Sequence, residues 1–260
     1  MMHRPTRFLL LAALAVLLPL SSCRAQKKTE HWSIEVVGEY PHDSESYTQG
    51  LFFHGGRLFE TTGLNGKSTL RINDLTSGEA VEKKKFSKKY FAEGSAVLDG
   101  KLFVLTWTNK VVFVYDPETL EYRSTWSYPR EGWGLTTDGH SLIASDGSSS
   151  LYFMNADLKV LKTLTVTLNG RPLRLLNELE WVDGKIWANI YTTDSIAVID
   201  PESGKVEALI DCSGLLPEKL RRPDTDVLNG IAVLGEGSSQ RIFLTGKNWP
   251  RLYEVRVLKQ

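Results

Sequence analysis

The sequence predicts an all-β domain, a five-bladed β-propeller, and three observations carry that expectation. A short strand-opening motif recurs five times, further strands flank each copy, and one strand ahead of the first copy has no unit of its own. Asp99-Gly-Lys-Leu-Phe-Val-Leu and Asp183-Gly-Lys-Ile-Trp-Ala-Asn are the clearest copies, with Asp138-Gly-His-Ser-Leu-Ile-Ala a third. Gly55-Gly-Arg-Leu-Phe-Glu and Gln240-Arg-Ile-Phe-Leu-Thr complete the set. Each opens with a turn signal and runs into β-branched and aromatic residues.

A second strand follows each motif, over 69–74, 111–116, 150–155, 195–200 and 251–256. Two of these end in Asp-Pro-Glu, at Asp116 and Asp200, where proline stops the strand and starts a turn. Another strand precedes each motif, over 50–54, 94–98, 134–137, 179–182 and 231–234, and 121–126 and 159–165 read as outer fourth strands. A short helix over 215–222 is the one helical expectation. Radial closure leaves few exposed strand edges, so it accounts for five like units better than two packed sheets do. The strand over 32–40 should complete the last unit and so clasp the chain ends together.

The chain has 260 residues, enough for a sizeable core, with equal numbers of acidic and basic side chains. Arg4 and Arg7 followed by an apolar run over 8–20 read as an export signal, too short to span a bilayer. Leu20-Ser21-Ser22-Cys23 resembles a bacterial lipobox. The expected organisation is a lipoprotein signal peptide over 1–22, a tether over 23–31 starting at a lipidated Cys23, and a propeller over 32–260. That makes the domain an exported, lipid-anchored monomer of the bacterial cell envelope. The plainer alternative is an ordinary secretory signal with an incidental cysteine. Lipid on Cys23 would leave Cys212 as the single free thiol, so packing rather than a disulfide holds the fold.

No basic stripe interleaves with aromatics, so nucleic acid is excluded as a partner. Lys83, Lys84, Lys85, Lys88 and Lys89 form one compact patch, read as a solvated strand-to-strand loop rather than a phosphate site. The five histidines lack ligand spacing, and no phosphate loop or nucleophile elbow is visible. Neither a metal nor a cofactor is expected.

In a propeller the first strands line the axis, and loops at one mouth build the site. Just ahead of those strands stand Gln49, Glu93, Trp133, Asn177-Glu178 and Asn229, at intervals of 44, 40, about 45 and about 51 residues. Any one of them could be a capped turn or a polar group facing channel water. As a set they differ too much in chemistry for a purely structural repeat. Glu93 follows Phe91 and precedes Ala96-Val97, an apolar setting in which burial raises a carboxyl toward a pKa of ~6–7, suited to acid–base work. Trp107, Trp133, Trp187 and Trp249 lie near strand ends, where tryptophan more often packs between units than touches a ligand. Lys247 follows the equivalent strand of the last unit, a position where a lysine is more often surface.

Ten motifs in order resemble those of the plant and bacterial glutaminyl-peptide cyclotransferases. They include Thr48-Gln-Gly-Leu, Phe91-Ala-Glu-Gly, Leu105-Thr-Trp, Gly132-Trp-Gly-Leu, Leu176-Asn-Glu-Leu, Leu228-Asn-Gly-Ile and Thr245-Gly-Lys-Asn-Trp. The resemblance runs from about Tyr47 to Val255. It implies a five-bladed propeller that converts N-terminal glutamine of peptides or proteins to pyroglutamate, releasing ammonia without a metal. By motif position it implies that Glu93 is the acid–base residue, with Gln49, Trp107, Trp133, Asn177 and Lys247 around the substrate. Glu178, Trp187 and Tyr191 join the expected substrate-binding set. Tyr191 stands where the family commonly has tryptophan, a smaller ring with a hydroxyl. Two other classes compete with this reading. One is a calcium-dependent hydrolase using Glu60, Glu93, Asn177, Glu178 and Asp146 as oxygen ligands. The other is a non-enzymatic scaffold or ligand-binding lipoprotein.

Overall fold

The computed structural model describes residues 28–259, so the expected signal peptide and Cys23 lie outside the described residues. Four meanders follow one another along the chain. The first contains β2 (Thr48–His54), β3 (Arg57–Thr62), β4 (Thr69–Asn73) and β5 (Ala80–Lys85); the second contains β6 (Ala92–Leu98), β7 (Lys101–Thr106), β8 (Val111–Tyr115) and β9 (Tyr122–Ser127). The third contains β10 (Leu135–Thr137), β11 (Leu142–Ser145), β12 (Ser150–Met154) and β13 (Val160–Thr165). A small hairpin, β14 (Thr167–Leu168) and β15 (Arg171–Pro172), leads into β16 (Leu176–Val182), β17 (Lys185–Ile190), β18 (Ser195–Ile199) and β19 (Val206–Asp211). The final meander, β20 (Leu228–Leu234), β21 (Arg241–Gly246) and β22 (Arg251–Leu258), takes its outer strand from the N-terminal β1 (Glu30–Pro41).

The architecture is all-β and propeller-like. The first strands touch in a ring: β2 lies beside β6 and β20, β10 beside β6 and β16, and β16 beside β20. An apolar cluster fills the space between each consecutive pair of sheets, including the last and the first, where Leu51 and Leu58 meet Phe243 and Leu252. Each buried Leu or Phe contributes about 1.5–3 kcal/mol, so these wedges supply most of the cohesion. Near the axis, glycine allows the first strands to approach. A Cβ on Gly134 would stand 2.0 Å from the Asn177 carbonyl oxygen, and one on Gly94 would stand 2.4 Å from the Leu135 nitrogen.

The clasp forms as predicted, with Ser33 opposite Leu258 and Pro41 opposite Arg251 in antiparallel register. It also does something not anticipated. Residues 30–33 run parallel to Ala208–Asp211 of β19, joining the fourth and fifth units into one eight-stranded sheet. Within the segment expected as a tether over 23–31, Thr29 is docked, its hydroxyl donating to the Val206 carbonyl. The 215–222 helix shrinks to one 3₁₀ turn, Glu218–Leu220, confined between Pro217 and Pro223. The lysine patch also divides: Lys83–Lys85 belong to the exposed outer strand β5, where charge discourages edge-to-edge pairing, and only Lys88 and Lys89 lie in a loop.

Candidate active site

Two rings of side chains meet at one mouth of the channel. The first is carried by the first strands and their entries. Gln49, Glu93, Asn177 and Asn229 each fall where the pairing to the second strand slips, at Thr48/Gly50, Ala92/Ser95, Leu176/Leu179 and Leu228/Ile231. A bulge of this kind re-aims a side chain, here toward the axis rather than between sheets. In the third unit Trp133 precedes β10, held by its N–H on the Ser145 carbonyl at 3.2 Å. The second ring is the residue directly after each second strand: Gly63, Trp107, Asp146, Tyr191 and Lys247. The next residue has left-handed backbone in four of these units, at Leu64 (φ 77°), Gly147 (75°), Thr192 (68°) and Asn248 (60°). That turn bends the chain sharply away just beyond the site. At the β-branched Thr192 such a conformation carries strain, the kind that persists at functional sites.

The rings enclose a cavity of about 210 Å³ lined by Gln49, Glu93 and Asn177, by the rings of Tyr47, Phe91, Trp107, Trp133 and Tyr191, and by Lys247. Two of the ring glycines or their neighbours make room for aromatics: a Cβ on Gly63 would meet Phe91 at 2.3 Å, and one on Gly147 would meet Trp133 at 2.6 Å. A larger cavity of about 520 Å³ opens at the opposite mouth, where the first strands end, and is lined by Phe52, Thr136 and Glu180 among others. None of the two-ring residues lines it.

Glu93 is 4% exposed, and burial pushes its carboxyl well above the usual carboxylate range. The Lys247 cation and a hydrogen bond from Gln49 oppose that shift, while the charge of Glu131 adds to it. The Gln49 amide is oriented from below: Asn229 Nδ2 donates to the Thr48 carbonyl (2.9 Å) and to Gln49 Oε1 (3.3 Å), which leaves the Gln49 NH₂ for Glu93. Lys247 Nζ lies 4.9 Å from the ring centroids of both Tyr47 and Tyr191, a double cation–π contact. Burial lowers its pKa, against the pull of Glu93 and Asp226. Tyr47 donates its hydroxyl to Asp226 Oδ2 at 2.6 Å, and burial raises the phenol pKa. Tyr191 meets Trp133 edge-on at 5.7 Å.

Seven of the nine sequence-predicted site residues thus line one cavity: Glu93, Gln49, Trp107, Trp133, Asn177, Tyr191 and Lys247. Trp187 does not. It packs in the core between the fourth and fifth units, at the motif position that Phe103 fills in the second. Glu178 faces the axis but serves the fold, its carboxylate accepting from the Leu51 (3.3 Å) and Ile231 (3.0 Å) amides. It takes the place that glycine holds beside the other ring residues and ties three units together. Trp249 is core as well, its indole bound to the Asp226 carbonyl.

The prediction missed Tyr47, Phe91 and Glu131. Glu131 Oε2 accepts from the indoles of both Trp107 (3.0 Å) and Trp133 (3.3 Å), pinning two walls with one oxygen. The signal was present, since all three stand two residues before a first-ring residue, on the same face of an extended chain.

The oxygen ligands that a calcium-dependent hydrolase would need are dispersed. Glu60 is committed to His42, Thr48 and Asn73, and Asp146 to Tyr152 and the Ser148 amide. Among the described residues no three His, Cys, Asp or Glu side chains gather as a metal site.

Comparison with known proteins agrees with the geometry. The profile of the glutamine cyclotransferase family matches residues 9–257. A glutaminyl-peptide cyclotransferase of Arabidopsis thaliana is 43% identical over 231 residues, 86% of this chain and 71% of the plant protein. The crystal structure of Myxococcus xanthus glutaminyl cyclase superposes with a TM-score of 0.82 at 39% identity, covering 90% of this chain and all of that one. With matches of this extent, the chain belongs to the glutamine cyclotransferase family.

Proposed function

We propose that this chain is a five-bladed propeller enzyme that cyclises N-terminal glutamine through the buried Glu93, with no metal in the reaction. The ring of five first strands and the N-terminal clasp support the blade count. The observation that carries the chemistry is a desolvated carboxyl facing Gln49, Asn177 and Lys247 inside an aromatic cavity.

In this reading the α-amine of glutamine attacks its own side-chain carbonyl. A C–N bond forms, the bond to the amide nitrogen breaks, and pyroglutamate and ammonia result. The amine must be neutral to attack, and an amino terminus titrates near ~8. Glu93, with its proton affinity raised, takes the proton from the amine and returns it to the leaving nitrogen. Folding the side chain back onto the amine is a positioning problem that the walls of Phe91, Trp107, Trp133 and Tyr191 solve. Lys247, fixed between two tyrosines, and the Asn177 amide are placed to stabilise the oxyanion. The first strands crowd together beside these residues, where Gly94 and Gly134 leave no room for a Cβ, so the cavity suits a chain end and not an internal residue.

Ammonia release from a Gln-initiated dipeptide, beside an Ala-initiated control, tests the reading. We expect release from the first alone, at equal rates with and without EDTA; no release, or loss in EDTA, would refute it. We also place the protein in the cell envelope as a monomer held by lipid on Cys23. Palmitate incorporation in a bacterial host should vanish in Cys23→Ala.

A further inference from the structure

We infer that the first and second units give the cavity mouth a cationic rim that docks acidic side chains following the N-terminal glutamine, which makes acidic N-termini the preferred substrate class. This rests on the proposed cyclase function and adds a substrate preference to it.

Lys67, Lys88, Lys89 and Lys110 form the rim, all solvent-exposed. Local structure places them at the mouth. Lys88 and Lys89 stand three and two residues before Phe91, a cavity wall, so their α-carbons lie within about 7–11 Å of it at 3.8 Å per residue. Lys67 sits in the turn that follows Gly63, closed by its own N–H on the Leu64 carbonyl at 2.9 Å. That turn is tied to the other loop by Asn65 Nδ2 donating to the Lys88 carbonyl at 3.4 Å. Lys110 ends the loop that begins at Trp107, which in turn bonds the Phe91 carbonyl through its N–H. These cations therefore border one side of the opening.

None of the four has a carboxylate within ion-pair distance among the described residues. Of the acids at the mouth, Glu131 holds two indoles, Asp226 holds Tyr47, Asp146 holds Tyr152, and Glu45 and Asp224 pair with Arg222, while the exposed Asp194 belongs to the fourth unit and not to the first or second. A peptide leaving the cavity in extended form advances ~3.3 Å per residue, so its second to fifth residues pass this rim within the reach of a lysine side chain. Its first residue is enclosed and cannot sense the rim. Unneutralised like charges at an opening attract opposite charge at long range and speed encounter, an effect that salt screens.

The test compares kcat/KM for three Gln-initiated hexapeptides bearing Asp, Ala or Lys at positions three to five, at low and high salt. We expect the acidic peptide to lead the neutral one by ~3- to 10-fold at low salt, the basic one to trail, and the order to flatten at high salt. The double variant Lys88→Glu/Lys89→Glu should reverse the order between acidic and basic peptides, whereas Lys159→Glu, in a turn of the opposite face, should not alter it. Equal kcat/KM for all three peptides, or an order indifferent to the double variant, overturns the rim. If no Gln peptide is cyclised, the proposed function falls. The same peptides then decide the rim by binding, read from tryptophan fluorescence, where 40% exposed Trp107 serves as reporter. Salt-insensitive or equal binding would overturn it.

Discussion

Glu60 and Glu93 are both buried carboxyls beside first strands, yet the fold treats them oppositely. Glu60 feels the charge of His42, whose ring it contacts at 3.1 Å, and that of Arg71, and it accepts from Thr48 (2.7 Å) and Asn73 (2.7 Å). Burial alone would raise its pKa, but these partners together hold it down at about 2. Glu93 has as much burial and few partners, and burial prevails. The same side chain is held as an anion within the framework in one place and kept readily protonated in the other. Two nearby cations, His42 and Arg71, against the single Lys247, and not depth, make the difference.

Breaking each carboxyl separately sharpens the contrast. Glu93→Gln should lower the rate of ammonia release at least ~100-fold while the fold persists, read by steady-state kinetics and circular dichroism; full activity would remove Glu93 from the mechanism. Glu60→Gln should do the reverse, costing about 3 kcal/mol of stability in denaturant titration by leaving buried partners unsatisfied, with turnover per folded molecule preserved. A third change reaches Glu93 only through the walls. Glu131→Ala frees both indoles and should lower kcat/KM by ~10-fold, mainly through KM, with a shift in tryptophan emission; Glu131→Gln, which keeps one acceptor, should recover part of the loss.

The smallest effects concern pH. Glu60 is stronger in the folded protein than its usual 4.5, so its contribution is present above that value and disappears as pH falls toward 2. Glu93 is weaker when folded, so ionising it destabilises the protein as pH rises above 4.5. Removing that carboxyl should therefore raise Tm at pH 8, by about 2–4 °C for each kcal/mol relieved, and leave it unchanged near pH 4. A Tm difference between Glu93→Gln and the parent that does not vary with pH would contradict the raised pKa.

Much of this was legible in the sequence because repetition converts spacing into geometry. Once Asp99-Gly-Lys and Asp183-Gly-Lys are aligned, Gln49, Glu93, Trp133 and Asn177 fall at one level of the axis without further information. The same alignment places Trp187 over Phe103, a core position, and its mistaken assignment to the site came from residue type overriding register. The spacing of Glu131, two residues before Trp133, put it at the mouth, but its contact with two indoles is not encoded there. The parallel pairing of β1 to β19 was equally invisible, because nothing local in 30–33 distinguishes a strand with two neighbours from one with a single neighbour.

The clasp also sets a timetable for folding. Ser33 is aligned with Leu258, so the earliest strand to be synthesised waits for the last before it gains its main partner. Contacts so remote in the chain form slowly, and until they do β1 and β22 present unpaired edges to other molecules. A handful of C-terminal residues therefore govern whether the nascent protein escapes self-association, although none of them lines the cavity.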